Sequence, residues 1–240
     1  MYDIDNGEVR VLDRHQREFF VSPLGITGDG NGTLFLTDSA LGQVFRYDFS
    51  KKQLGYFTGK ALERPTGIAF NADNWQIYVA DTLTHQIVVF GLDGEERFRI
   101  GKRGSAPGEF NFPTDLWVDA EGRLLVTDSL NARVQIFSPS GEYLSLLGVR
   151  GHAAGYLDKP KGVATDSSGR IYICDALKDS VQVFAPDGTF LLRLGERGQA
   201  AGQFWMPAGL FIKDDLIYVA DSYNQRIQVF EIVDDTTKGQ

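Results

Sequence analysis

Leu124-Leu125-Val126-Thr127-Asp128-Ser129-Leu130-Asn131-Ala132-Arg133-Val134-Gln135-Ile136-Phe137 reads as strand, tight loop, strand. The same pattern returns as Ile77-Tyr78-Val79-Ala80-Asp81 through Phe90, Ile171-Tyr172-Ile173-Cys174-Asp175 through Phe184, and Ile217-Tyr218-Val219-Ala220-Asp221 through Phe230. A weaker copy runs from Leu34-Phe35-Leu36-Thr37-Asp38 to Tyr47. The acidic residue falls at 38, 81, 128, 175 and 221, in steps of 43, 47, 47 and 46, with an aromatic nine positions after each. A period in this range is the signature of one supersecondary unit repeated along the chain.

Around the loop, repeat 113–159 reads as four short strands. Leu116 to Val118 is strand a, and Asp119 to Arg123 a turn with Gly122 at its positive-φ position. Leu124 to Thr127 is strand b, Asp128 to Ala132 a loop, and Val134 to Phe137 strand c. Ser138-Pro139-Ser140-Gly141 turns into strand d, Glu142 to Leu147. Strands b and c are almost continuously apolar, which predicts that both faces of the sheet are covered. Four-stranded antiparallel units packed face to face are propeller blades, so the expected fold class is an all-β propeller. The repeats open on Pro23-Leu24-Gly25, Pro65-Thr66-Gly67, Pro113-Thr114-Asp115, Pro160-Lys161-Gly162 and Pro207-Ala208-Gly209. Three long connectors share Gly-x-x-Gly and then an apolar anchor: Gly101 to Phe110, Gly148 to Leu157 and Gly195 to Phe204.

These boundaries predict a single propeller over residues 1–232, with repeats 23–64, 65–112, 113–159, 160–206 and 207–232, and a polar tail at 233–240. The last repeat lacks strand d, while Val9 to Leu12 reads as a spare strand. Either that strand pairs with Ile227 to Phe230 and closes five blades, or the ring is an incomplete six-bladed one.

The 240 residues carry a net charge of −8, which argues against nucleic acid or an anionic membrane as partner. No apolar run approaches membrane-spanning length, and Met1-Tyr2-Asp3-Ile4 reads as strand, not signal peptide. The single cysteine, Cys174, cannot form an intrachain disulfide and replaces Ala80 and Ala220 at a core position of strand b.

Pro-x-Gly, a strand ending Ala-Asp or Thr-Asp, then Asn-x-Arg-Val-Gln-x-Phe and Gly-x-Arg-Gly-x-x-x-Gly-x-Phe recur in register over residues 23–232. Here the chain resembles the NHL-repeat β-propeller family. Asp128 to Arg133 and Asp221 to Arg226 match best, and the fourth repeat departs at Lys178 and Ser180. The resemblance implies a ring of blades, usually six. It implies no single activity, since members include RNA-binding and protein-binding modules and a few lyases. Bacterial members are often exported, so it leans towards an extracytoplasmic location.

Each repeat Asp can staple its loop by accepting backbone N–H bonds, with Arg133 and Arg226 in reach of Asp128 and Asp221. One carboxylate per blade is a poor calcium site. His15, His85 and His152 would all be needed for a three-histidine zinc site, and their loops give no reason to converge, so no metal and no cofactor are expected. Neither a Gly-x-Ser-x-Gly elbow nor a Walker loop is present. Two residues after the repeat Asp stand Ala40, Leu83, Leu130, Leu177 and Tyr223, at a loop tip where polar residues or Gly are expected. Arg103, Arg150 and Arg197 recur at one position in three blades, and Asp115 stands where the other four openings have Gly.

Together Leu83, Leu130, Leu177, Tyr223, Arg103, Arg150, Arg197 and Asp115 form the candidate binding set, on the face made by the b–c and d–a loops. The expected function is a non-enzymatic scaffold for a protein partner. The rival is a hydrolase or lyase at the channel mouth, using Asp115, His85 and His152. The competing structural reading folds each Leu down onto Phe110 or Phe204.

Overall fold

Turns at regular intervals cut the chain into strands too short to stand alone. In the third repeat, Gly122 (φ 73°) and Gly141 (φ 87°) make the two reversals, at backbone angles that cost other L-residues energy. The computed structural model describes residues 14–15 and 18–233. Strands β1 (Arg14–His15) and β2 (Glu18–Phe19) pair with each other. Blade one is β3 (Pro23–Gly28), β4 (Thr33–Asp38), β5 (Gln43–Asp48) and β6 (Gln53–Tyr56). Blade two is β7 (Pro65–Asn71), β8 (Gln76–Asp81), β9 (Gln86–Gly91) and β10 (Glu96–Ile100). Blade three is β11 (Pro113–Val118), β12 (Leu124–Asp128), β13 (Arg133–Phe137) and β14 (Tyr143–Leu147). Blade four is β15 (Pro160–Thr165), β16 (Ile171–Asp175), β17 (Ser180–Phe184) and β18 (Phe190–Leu194). Blade five has β19 (Pro207–Lys213), β20 (Leu216–Asp221) and β21 (Arg226–Glu231). Within each blade consecutive strands pair antiparallel, and the five blades make an all-β propeller.

Two local readings shift. The innermost strands begin at the Pro itself, because Pro113 pairs with Asp128 across a bulge that ends at Asp115. The b–c loop is also not irregular: Ser129–Asn131, Ala176–Lys178 and Ser222–Asn224 are single 3-10 turns. Each turn ends on a left-handed residue: Ala132, Asp179 or Gln225. His85 and Gly42 take the same backbone conformation at the same position of blades two and one.

The core lies between blades. One apolar cluster joins blades one and two through Phe35, Ile68 and Phe90, and another joins two and three through Tyr78, Phe110 and Phe137. A third joins three and four through Leu125, Leu157 and Phe184, and a fourth joins four and five through Tyr172, Phe204 and Val219. The connector anchors Phe110, Leu157 and Phe204 are fully buried, each bridged to the Arg of its own loop: Arg103, Arg150 and Arg197. Truncating such an anchor costs about 3–5 kcal/mol for Phe.

Innermost strands pack β3 on β7, β7 on β11, β11 on β15 and β15 on β19. They approach closely: a Cβ on Gly67 would sit 2.7 Å from the Cα of Asp115 in the next blade. Gly209 of blade five has no such neighbour, since a Cβ there would meet only Ala220 of its own blade. Strand β12 is buried on both faces, whereas β21 alternates, leaving Ile227 69% and Val229 51% exposed. Leu24 and Ile26 on β3 are exposed likewise. A seam therefore separates blades five and one among the described residues. The strands expected at Tyr2–Ile4 and Val9–Leu12, and the tail from Asp234, lie outside those residues.

Candidate functional site

Strand pairing puts the start of every innermost strand beside the end of strand b, as in Pro65 opposite Asp81 and Pro160 opposite Asp175. The b–c and d–a loops thus share one end of the propeller. The repeat Asp holds them together there. Asp81 accepts the Arg64 amide at 2.7 Å and Asp175 the Asp158 amide at 2.7 Å, so each carboxylate ties strand b to the preceding connector. Asp128 accepts from the Asn111 amide, the Arg133 guanidinium and the Asn131 and Gln135 amides. Asp221 is held in the same way by Trp205, Asn224, Arg226 and Gln228. Burial works against the Asp221 charge, but those hydrogen bonds outweigh it and lower its pKa. All five carboxylates are buried, and their hydrogen bonds identify them as loop staples.

The loop tips behave differently. Leu83 is 47% exposed, Leu130 36%, Leu177 56% and Tyr223 59%, while Phe110 and Phe204 are sealed in the inter-blade core. The three leucines are exposed, whereas Tyr223 rests partly on Trp205 of its own connector. The arginines near them differ from one another. Arg150 donates to the Leu130 carbonyl at 2.7 Å and stands 3.4 Å from Asp158. Arg197 lies over the Trp205 ring at 5.8 Å, and Trp205 packs on Tyr223 at 5.4 Å, a stacked Arg-Trp-Tyr group at the rim. Arg103 is exposed, and its charge acts on His85.

A cavity of about 1200 Å³ runs down the axis from this end, lined by the innermost strands. Asp115 faces it. Its residual accessible surface opens to this space, and Oδ2 accepts the Val163 amide of the next blade at 3.1 Å. Burial pushes its carboxyl up to about 7, against the pull of the Val163 and Leu116 amides. Behind it the buried Cys174 thiol is raised by burial and then by Asp115 and Asp175, so it is an inert core group.

The histidines do not assemble. His85 is buried at the left-handed corner of its loop, stacks edge-on against Phe112 at 4.7 Å, and accepts the Phe112 amide on Nδ1 at 3.1 Å. Burial first, then the Arg103 charge, lowers its pKa. His152 is exposed. Among the described residues no three His, Cys, Asp or Glu side chains are grouped as a metal site. The channel's donor set, one carboxylate facing cations, does not suit a divalent ion.

Those cations escaped the sequence reading. Arg64, Lys159 and Lys161 line the cavity beside Ser129, Leu130 and Thr114. Their signal lay in the openings: the residues flanking Pro are Ser22 and Leu24, Arg64 and Thr66, Phe112 and Thr114, Lys159 and Lys161, Met206 and Ala208. Only two blades place charge there, and only the ring brings them to one mouth.

With this geometry the chain matches known proteins at three levels. The family described as SMP-30/Gluconolactonase/LRE-like region matches residues 13–151, the NHL repeat residues 204–230, and a beta-propeller repeat residues 142–174. Peptidyl-glycine alpha-amidating monooxygenase A of Xenopus laevis is 28% identical over 136 residues, 50% of this chain. The rat peptidylglycine alpha-amidating monooxygenase is 29% identical over 128 residues, 47% of this chain. The chain spans only 14% and 13% of those relatives' lengths. Among solved structures, a nidogen/laminin complex contains a chain with TM-score 0.71 at 17% identity, covering 89% of this chain and 79% of that one. Virginiamycin B lyase of Staphylococcus aureus gives TM-score 0.64 at 15% identity, covering 88% and 70%. At such identities the structures speak for the fold alone. The chain is an NHL-repeat β-propeller and belongs to the SMP-30/gluconolactonase/LRE-like family.

Proposed function

We propose that this propeller is a non-enzymatic scaffold that binds a protein partner on the face formed by its b–c and d–a loops. One observation carries the reading: four of five loop tips present a large apolar side chain, Leu83, Leu130, Leu177 or Tyr223, and all four are exposed. Turn tips facing solvent are ordinarily polar or Gly. Apolar anchors rimmed by Arg, here Arg103, Arg150 and Arg197, have the composition of protein-binding patches. The likeness to a chain from a nidogen/laminin complex supports the idea that such a ring serves protein contacts.

The test is a pair of substitutions. Leu83→Ser with Leu130→Ser removes two neighbouring anchors from exposed sites, so stability should stay within about 0.5 kcal/mol. A protein retained stoichiometrically by the wild type should be lost by the double variant and kept by a variant altered at Ala120, on the opposite, a–b turn end. Equal retention by all three would defeat the reading, as would a loss of several kcal/mol in the double variant.

A hydrolase or lyase centred on the channel is the second reading. The raised pKa of Asp115 favours it, because a carboxyl titrating near neutrality inside a cavity can exchange protons with a substrate. His85 weakens it, since its Nδ1 is already taken by the Phe112 amide.

A further inference from the structure

We propose that the axial cavity binds an organic anion, a carboxylate head held at the mouth by Arg64, Lys159 and Lys161 with an apolar body running down between the blades. The proposal does not rest on the protein-binding reading: it uses the inside of the ring, and of the four loop-tip side chains only Leu130 also lines the cavity.

Three observations converge on the mouth. The first is unpaired charge. Several cations of this acidic chain find partners, as Arg123 does with Asp119, Arg170 with Asp166 and Arg226 with Asp221. Among the described residues, the side chains of Arg64, Lys159 and Lys161 have no ion-pair or hydrogen-bond partner, yet all three line one cavity. The nearby repeat carboxylates cannot neutralise them by contact, because Asp81 and Asp175 are spent on backbone amides, including those of Arg64 and Lys159. Burial, then Lys159 and Arg64, depresses the pKa of Lys161, so the cations repel one another across the mouth.

The second is unmet hydrogen bonding. Ser129 is 1% exposed, lines the cavity, and its Oγ has no partner; the buried Oγ1 of Thr114, also in the lining, has none either. The equivalent hydroxyl of blade two, on Thr82, is satisfied by the Pro113 carbonyl. Buried hydroxyls are normally paired; Thr127 and Ser180 are orphaned too, but only Ser129 and Thr114 lie in the lining, beside three cations that a polar group could engage.

The third is the wall. Below the mouth the lining turns apolar, with Ile26, Ile68, Leu116, Val163, Leu210 and Phe211. A charged rim over an apolar shaft selects for an amphiphile: a bare inorganic anion would leave the shaft unfilled, and a neutral apolar molecule would leave the cations unpaired.

The probes are acetate, hexanoate, decanoate and inorganic phosphate, titrated calorimetrically into the folded chain at constant ionic strength. Decanoate should bind most tightly and acetate least, with phosphate no better than acetate. Lys161→Ala and Arg64→Ser test the head group with residues the chain already uses at these positions, Ala208 and Ser22. Each should weaken decanoate at least tenfold while raising the thermal midpoint of the free protein at low salt, because mutual repulsion is relieved. Lys51→Ser, which removes one charge from an exposed pair with Asp48, should change neither. Three results would overturn the proposal: no decanoate binding at millimolar concentration, binding that survives both mouth substitutions, or phosphate bound more tightly than decanoate.

Discussion

Asp115 shows how one residue takes its character from the next blade. In sequence it is an acidic intruder at a position where four other repeats carry Gly. In the ring its carboxyl caps the Val163 amide of blade four, and burial raises its pKa to about 7. An unfolded Asp titrates near 3.9. Between those values the native state keeps a proton that the unfolded state has released, so this group's contribution to stability is complete below about pH 4 and is lost as pH rises through about 7. Asp115→Asn has no proton to lose. The difference in thermal midpoint between variant and wild type should therefore grow in the variant's favour from pH 5 to pH 8, measured by calorimetry in matched salt. A constant difference would mean that the carboxyl is solvated in the folded state. The oddity of residue 115 was legible in the sequence, but its environment was not, because that environment belongs to residues 48 positions away.

At the scale of the element, the b–c loop was read correctly as a staple and incompletely as a shape. Apolar runs ending in Asp specify where strand b stops, and Arg five residues on specifies the partner, at 2.8 Å in both Asp128–Arg133 and Asp221–Arg226. The sequence hid the left-handed residue that closes each 3-10 turn, because the ring fills that position with Gly42, His85, Ala132, Asp179 and Gln225, types with no common chemistry. This explains His85 better than catalysis does: the corner demands φ of 58°, and the imidazole then accepts the Phe112 amide. Some of these residues repay the backbone strain through their side chains, as Asp179 does by accepting the Met206 amide at 2.8 Å. Gln225 is exposed and has no such role. A left-handed non-glycine residue costs about 1–2 kcal/mol, partly offset by the greater freedom glycine brings to the unfolded chain. Gln225→Gly should accordingly raise unfolding stability by about 0.5–1 kcal/mol in urea titration. A decrease would show that Gln225 makes a contact worth more than the strain.

The whole molecule turns on its seam. Five blades have four inter-blade cores among the described residues, and Gly209 lacks the neighbour that its counterparts Gly67 and Gly162 have. The repeat was fully legible because each blade rewrites the same local rules, but closure was not, because it depends on how the last unit meets the first. Blade five exposes Ile227 and Val229 on its outer strand, and a paired outer strand would otherwise follow β21 as β18 follows β17. An uncovered edge of this kind invites pairing with another chain. We propose that Val9 to Leu12 provides that strand, as the apolar pattern of those residues and the lack of a strand d in the last repeat suggest. Pairing would occupy the outward amides of Ile227 to Phe230, which otherwise face water. Amide exchange is the direct readout, since protection follows local opening of the paired element. In the full chain the outward amides of 227–230 should exchange as slowly as those of 181–184, which β18 covers. In a chain lacking residues 1–13 they should exchange much faster, while 181–184 remain protected. Fast exchange at 227–230 in both chains would mean that residues 9–12 pair elsewhere and that the ring is open for a sixth blade. Slow exchange in both would assign the cover to a second copy, and protection would then fall on dilution.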